Sequence, residues 1–203
     1  MARQRRSDMV AETRSKLIAA ARHAFATKGF AGAAMEDFTA ECGLTRGALY
    51  HHFDGKKGLF EAVVAQINAE TAVRLQADID EAGSAWDRFI NESVASIKMA
   101  LDPEFQRIML RDGPAVLGDP SQWPSRSACI ECATQSIRSL IDDGLAKQVD
   151  PEAAARLITG AALSASLWIA SVADPRAVSD KAIESFVALA SGLLRMQMSE
   201  SDH

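Results

Sequence analysis

The sequence holds one tyrosine, six prolines and three cysteines among 203 residues, and each scarcity excludes something. Sheets favour β-branched and aromatic residues in alternating runs, and such runs are largely missing here. Abundant alanine and leucine favour helix instead, so the chain is expected to be almost all-α. Cys42, Cys129 and Cys132 are odd in number, which argues against a disulfide framework and fits a reducing compartment. Cys129 and Cys132 form a single C-x-x-C without a second pair or a nearby histidine, so they read as two small residues on one helical face rather than as metal ligands. No basic leader runs into an apolar core and a small-residue cleavage site. The longest uncharged stretch, Leu157 to Ala173, has 17 residues and includes Thr159, Gly160, Ser164, Ser166 and Ser171. It is short and polar for a bilayer span, and it reads as a buried helix. A cytoplasmic protein with no membrane partner is expected.

A net charge of −5 seems at first to exclude a polyanionic partner. Binding is a local field effect, however, so charge has to be read region by region. Residues 1–58 carry ten Lys/Arg against six Asp/Glu, a local +4, which leaves −9 for the rest. One end is therefore suited to face phosphates and the other is not.

Periodicity places helix 1 from about Asp8 to Lys28, with Leu17, Ile18, Ala21 and Phe25 inward and Gly29 as its stop. Helix 2 covers Ala34 to Cys42 with Phe38 inward, Gly43 permits a tight turn, and helix 3 runs from Thr45 as N-cap to about His52. Helix 4 follows Asp54 and carries Leu59, Phe60, Val63, Val64 and Ile67 as its apolar stripe. Ser84 with Asp87 predicts a capping-box start for helix 5, and Asp102-Pro103 opens a short helix 6. The stretch from Gly113-Pro114 to Pro124 reads as loop. Helix 7 spans about Ser125 to Asp143, helix 8 starts at Asp150-Pro151, and helix 9 follows Asp174-Pro175 and ends near Met198. About nine helices result, in two expected domains, 1–71 and 72–203.

Ala34 to Phe53, AMEDFTAECGLTRGALYHHF, reads as helix, glycine turn and second short helix, the geometry that lays a recognition helix in the major groove. Gly47 and Ala48 let the backbone approach base edges, and Leu49 and Phe53, four apart, anchor the helix inward. Tyr50, His51 and Lys56 can donate to phosphates, with Lys56-Lys57 just beyond the helix. His51 and His52 point about 100° apart on a helix, which argues against a metal pair.

At these residues the chain resembles the tetracycline-repressor (TetR) family of bacterial regulators. The resemblance rests on Thr13-Arg14, on Leu17 to Ala21, on Phe25 with Gly29-Phe30, and on Gly43 to Phe53 followed by Lys56 and Leu59. It covers roughly residues 11–71, and Asp112 to Gly118 looks like a stretch found in some members. It implies an N-terminal helix-turn-helix domain and a C-terminal helical domain for ligand binding and dimerisation. It also implies DNA contacts by Thr45, Arg46, Tyr50, His51 and Lys56, with Thr45 and Arg46 nearest the bases. Ala33-Ala34 departs from the family, which often has threonine at the start of helix 2, and Phe38 stands where a smaller aliphatic residue is more usual.

No nucleophile elbow, phosphate loop, paired-carboxylate signature or zinc-protease motif occurs, so no catalytic group, metal or cofactor is expected. Trp86, Phe89, Met99, Phe105, Met109, Arg111, Trp123 and Trp168 are the candidate lining of a pocket for a small apolar effector. Helix 8, apolar or uncharged nearly all round, suggests a subunit interface. Leu157, Gly160, Ala161, Ser164, Ala165 and Trp168, with Phe186, Val187, Leu193 and Leu194 of helix 9, would form a four-helix bundle between two copies. The expected function is a ligand-responsive repressor that binds a palindromic operator in double-stranded DNA as a homodimer, the effector acting by shifting helix 4. The alternative is a helical adaptor that keeps the fold without operator binding.

Overall fold

A computed structural model describes residues 2–43, 46–79 and 83–195. Within them, the side chains of residues 2–7, 37, 41, 42, 46, 48, 51 and 76–79 lie outside the description. Among the described residues every regular element is helical, apart from an isolated bridge between Ala146 and Leu194. The chain divides into two compact units, one of Met1–Ala72 with Asp102–Pro120 and the other of Val73–Leu101 with Ser121–His203. The expected break at 71/72 thus falls beside a division that runs inside a continuous helix, and residues 102–120 fold with the N-terminal helices.

The first unit is built from α1 (Ala2–Gly32), α2 (Met35–Cys42), α3 (Arg46–His52) and most of α4 (Gly55–Ile79), with α6 (Pro103–Phe105) and α7 (Gly113–Leu117). The expected inward stripes of α1 and α4 are buried: Leu17, Phe25, Leu59, Phe60 and Val63 are all fully enclosed. Phe25 is the hub, its ring 5.8 Å from Phe30, 5.3 Å from Phe38 and 5.1 Å from Phe60. Phe38 packs against Phe25 edge to face. Four aromatic rings therefore fix α2 and α4 on α1.

Gly29 interrupts α1 at φ 73° and ψ 169°, a backbone region open essentially to glycine alone. One further turn follows the interruption, closed by Ala33 N donating to the Gly29 carbonyl at 3.1 Å. The segment from Gly113 onward, expected as loop, is largely helical: a π-helical turn, Gln106–Asp112, leads into α7, which ends at Gly118 with φ +85°. Gly-Pro reads as a breaker in sequence, yet Pro114 sits in the first turn of α7, where its missing N–H belongs to the unsatisfied set anyway.

The second unit comprises α5 (Ala85–Lys98), α8 (Pro124–Asp142), α9 (Pro151–Ser171) and α10 (Pro175–Ser191). The capping box forms as expected, with Asp87 N donating to Ser84 Oγ at 3.1 Å and Ser84 N to Asp87 Oδ2 at 3.0 Å. Asp150 and Asp174 cap α9 and α10, each before a proline in the first turn. Ile97, Ile137, Ala155, Ile169 and Ala190 form the fully enclosed centre. α10 stops short of the expected end near Met198, at Ser191. The chain there pairs with the loop after α8: Lys147 N donates to the Leu193 carbonyl at 2.8 Å, and Arg195 N to the Leu145 carbonyl at 3.0 Å. Those backbone bonds replace helical ones. Residues 196–203 lie outside the description.

Candidate nucleic-acid interface

Two enclosed anchors, four residues apart, orient α3. Leu49 is fully buried and Phe53 nearly so, as their spacing predicts. The turn before α3 contains Gly43 at φ +64°, with its N–H donating to the Ala40 carbonyl at 3.2 Å. With Leu49 inward, the opposite face carries Gly47, exposed, and Tyr50, 53 % exposed. Arg46, Ala48 and His51 belong to the same short helix, but their side chains lie outside the described residues, as does Thr45 entirely.

Two cations stand beside this surface. The Arg14 guanidinium sits 5.1 Å from the centre of the Phe53 ring, and the Lys56 ammonium 4.5 Å from that of Phe30. Each is held by the negative face of an aromatic ring, an interaction worth about 0.5–1 kcal/mol at exposed sites. Lys56 is half-buried, and Phe30 fixes where its charge is presented. Arg14 was not singled out as a site residue, because its placement depends on Phe53, thirty-nine positions away in sequence. Ala33 is buried and Ala34 exposed at the head of α2, where the chain departs from the usual threonine.

Behind this surface, α1 is clamped by the 102–112 segment. Arg22 donates through Nε and Nη2 to Glu104 at 2.9 and 2.7 Å, and through Nη1 to both oxygens of Glu70 at 2.8 Å. Hydrogen bonding to Glu104 first, and to Glu70 after the opposing cost of desolvation, raises the guanidinium above its ordinary pKa. One side chain thereby ties α1, α4 and α6. At the end of α1, Asp112 Oδ2 accepts from Phe30 N at 2.6 Å and lies 3.6 Å from Arg107 Nε. Arg107 Nη2 reaches the Lys28 carbonyl at 3.3 Å, its guanidinium occupying the space that a side chain at Gly29 would need.

Replacing Arg22 by methionine leaves two carboxylates facing each other without their shared cation. Since all three side chains are partly exposed, the expected loss is about 2 kcal/mol rather than the full cost of a buried pair. Thermal unfolding reads it as a fall of about 4–8 °C. An unchanged melting temperature would remove the clamp from the account.

The model described as "Bacterial regulatory proteins, tetR family" matches residues 17–63, and "Tetracyclin repressor-like, C-terminal domain" matches 86–193. The crystal structure of a TetR-family transcriptional regulator from Pectobacterium atrosepticum is 45 % identical, covering 92 % of this chain and 96 % of that one at TM-score 0.84. The chain belongs to the TetR family. A curated relative, the HTH-type transcriptional regulator UidR of Escherichia coli, is 32 % identical over 85 residues, and that match spans 42 % of each chain. The transcriptional regulator FadR from Bacillus subtilis, solved in complex with stearoyl-CoA, shares the fold at 17 % identity and TM-score 0.65, covering 86 % of this chain and 97 % of that one. TetR proteins are transcriptional regulators, not enzymes, and these likenesses favour DNA binding over the adaptor reading.

In this TetR-family chain the expected pocket residues separate between the units. Phe105, Met109 and Arg111 belong to the first, while Trp86, Phe89, Met99, Trp123 and Trp168 belong to the second. Met109 is buried. Trp86 and Phe89 touch, with ring centres 5.9 Å apart. Of the expected interface, Leu157 is 74 % and Trp168 46 % exposed, on one stripe of α9 with Gly160, Ala161 and Ser164. Phe186, by contrast, is buried in its own chain, because α10 turns that side onto α9. Leu189, not singled out, is 69 % exposed one turn further on. Among the described residues no cluster of metal-binding side chains occurs, and α9 is long and apolar enough to cross a membrane by length and composition only.

Proposed function

We propose that the protein is a cytoplasmic repressor that binds a palindromic operator as a homodimer and releases it when a small effector binds the C-terminal helices. The observation that carries the DNA half is α3, anchored by Leu49 and Phe53 with Gly47 and Tyr50 outward, in the part of the chain that carries net positive charge. Thr45, Arg46, Gly47, Ala48, Tyr50, His51 and Lys56 are the proposed DNA contacts. Two copies related by a two-fold axis present two such helices to half-sites about 34–36 Å apart. The exposed stripe of α9 with Leu189 of α10 supports the dimer. Continuity of α4 from Gly55 to Ile79, across the division between the units, supports that helix as the moving part. An effector acts through this route only if it binds the two arrangements with different affinity.

Selection of bound sequences from random DNA, followed by gel shift on the selected operator, tests the reading. Arg46→Ala is expected to cost about 1–3 kcal/mol at one base position while leaving the others unchanged. A uniform loss across all sequences assigns Arg46 to phosphate instead. Absence of salt-sensitive, sequence-preferring binding by the wild-type protein rejects the operator altogether.

A further inference from the structure

The second unit contains polar groups that its own packing leaves without partners. Trp123, Arg126 and Ile130 continue the stripe of α8 that carries the enclosed Thr134, Ile137 and Leu140, so a tryptophan and an arginine stand where the periodicity calls for core. The Trp123 indole nitrogen is buried and donates to nothing among the described residues. Arg126 is half-buried, and no hydrogen bond or ion pair holds its guanidinium among the described residues. α5 packs against α8 and brings Glu92, also half-buried and unpaired among them, one turn beyond Phe89.

Arg126 and Glu92 both lie within electrical reach of Cys129. Cys129, one turn beyond Arg126 and exposed over part of its surface, has its thiol raised by desolvation, pulled down by Arg126 and pushed up by Glu92. Burial raises the Glu92 carboxyl and lowers the Arg126 guanidinium. Unsatisfied polar groups of this kind are rare in folded proteins and call for a partner. An arginine facing inward without a carboxylate costs stability unless something else engages it.

We propose that Trp123 Nε1 and Arg126 form the polar end of a ligand site in the C-terminal unit, which takes the acidic head group of an amphipathic small molecule whose apolar body lies along Trp86 and Phe89. This rests on the effector reading above and alters one part of it: the effector carries an acid group rather than being apolar throughout. A carboxylate or sulfonate offers only acceptors, the complement of an indole N–H and a guanidinium fork. The touching rings of Trp86 and Phe89, tilted by 44° to each other, supply apolar surface on the same face of α5 as its enclosed residues.

Two fluorescent probes with the same aromatic body test it on the full-length protein. One, 8-anilinonaphthalene-1-sulfonate, bears an acid group, and the other, N-phenyl-1-naphthylamine, does not. The acidic probe is expected to bind about tenfold or more tightly than the neutral one, as charge-assisted hydrogen bonds warrant. Arg126→Leu should bring the acidic probe to the level of the neutral one while shifting the neutral one by less than about threefold. That variant removes an unpaired half-buried charge, so it is expected to fold at least as stably as wild type. Trp123→Phe keeps an aromatic ring but removes the N–H with the five-membered ring that carries it, and a loss of the acidic probe there with the neutral one retained supports the site independently of Arg126. Equal binding of the two probes by wild type, or equal effects of Arg126→Leu on both, overturns the proposal. Operator affinity measured with and without the acidic probe reads the effector role separately. Anion selectivity that disappears in Arg126→Leu, without a change in operator affinity, keeps the site and removes its regulatory role.

Discussion

Phe25→Ala is expected to destabilise the first unit by about 3–5 kcal/mol, the range for emptying a large aromatic site. The ring has no exposed surface and meets Phe30, Phe38 and Phe60 at once, so its removal leaves a cavity bounded by three other rings. Those neighbours come from α1, α2 and α4, and collapse to fill the gap would require the three helices to move together. Against a total stability of about 5–15 kcal/mol the loss is large. Urea unfolding followed by circular dichroism gives it directly. Operator binding should fall as well, because α2 and α4 flank the short α3 and set its angle. A loss below about 1 kcal/mol would mean that the aromatic cluster does not hold the helix-turn-helix frame. Phe30→Leu provides the comparison: Phe30 is only half-buried, at the rim of the cluster, and the change keeps most of the volume.

The helix-turn-helix was legible in the sequence because its determinants are local. Leu49 and Phe53 lie four apart, Gly43 marks its turn, and α5, α9 and α10 of the second unit each start at an acid or hydroxyl cap that occurs in the chain itself. What escaped the sequence depends on distance along the chain. Arg22 meets Glu104 eighty-two positions on, and Asp112 meets Phe30 across the same separation. No periodicity announces such pairs. The packing of the 102–120 segment with the N-terminal helices was therefore not visible in the sequence, and its helical turns were hidden behind Gly113-Pro114. Phe186 shows a related limit: an apolar residue on an amphipathic helix states that a face is covered, not whether its own chain or another covers it. The α8 stripe taught the converse, since Arg126 interrupts an apolar pattern at a position the pattern itself marks as inward.

That distinction between own core and foreign surface sets the second large effect. If the proposed dimer forms through α9 and α10, Leu157→Glu combined with Leu189→Glu is expected to convert it to monomer in gel filtration and to weaken operator binding by about a hundredfold or more. Both side chains are mostly exposed in the single chain, at 74 % and 69 %, so charging them costs the isolated subunit little. In a two-fold interface each change appears twice, and four carboxylates would have to be desolvated against apolar partners. Loss of the dimer removes the simultaneous engagement of two half-sites, which is worth about 10²–10⁴ in affinity. The monomer should still unfold cooperatively, at a lower temperature than the dimer because association stabilises the folded subunit. Phe186→Glu must behave differently: its ring is 2 % exposed within its own chain, so the charge would enter the fold itself and unfold α10 from α9. A doubly charged variant that remains dimeric and binds operator normally would move the subunit interface off α9 and α10. A doubly charged variant that unfolds as Phe186→Glu does would show that a subunit does not stay folded without its partner.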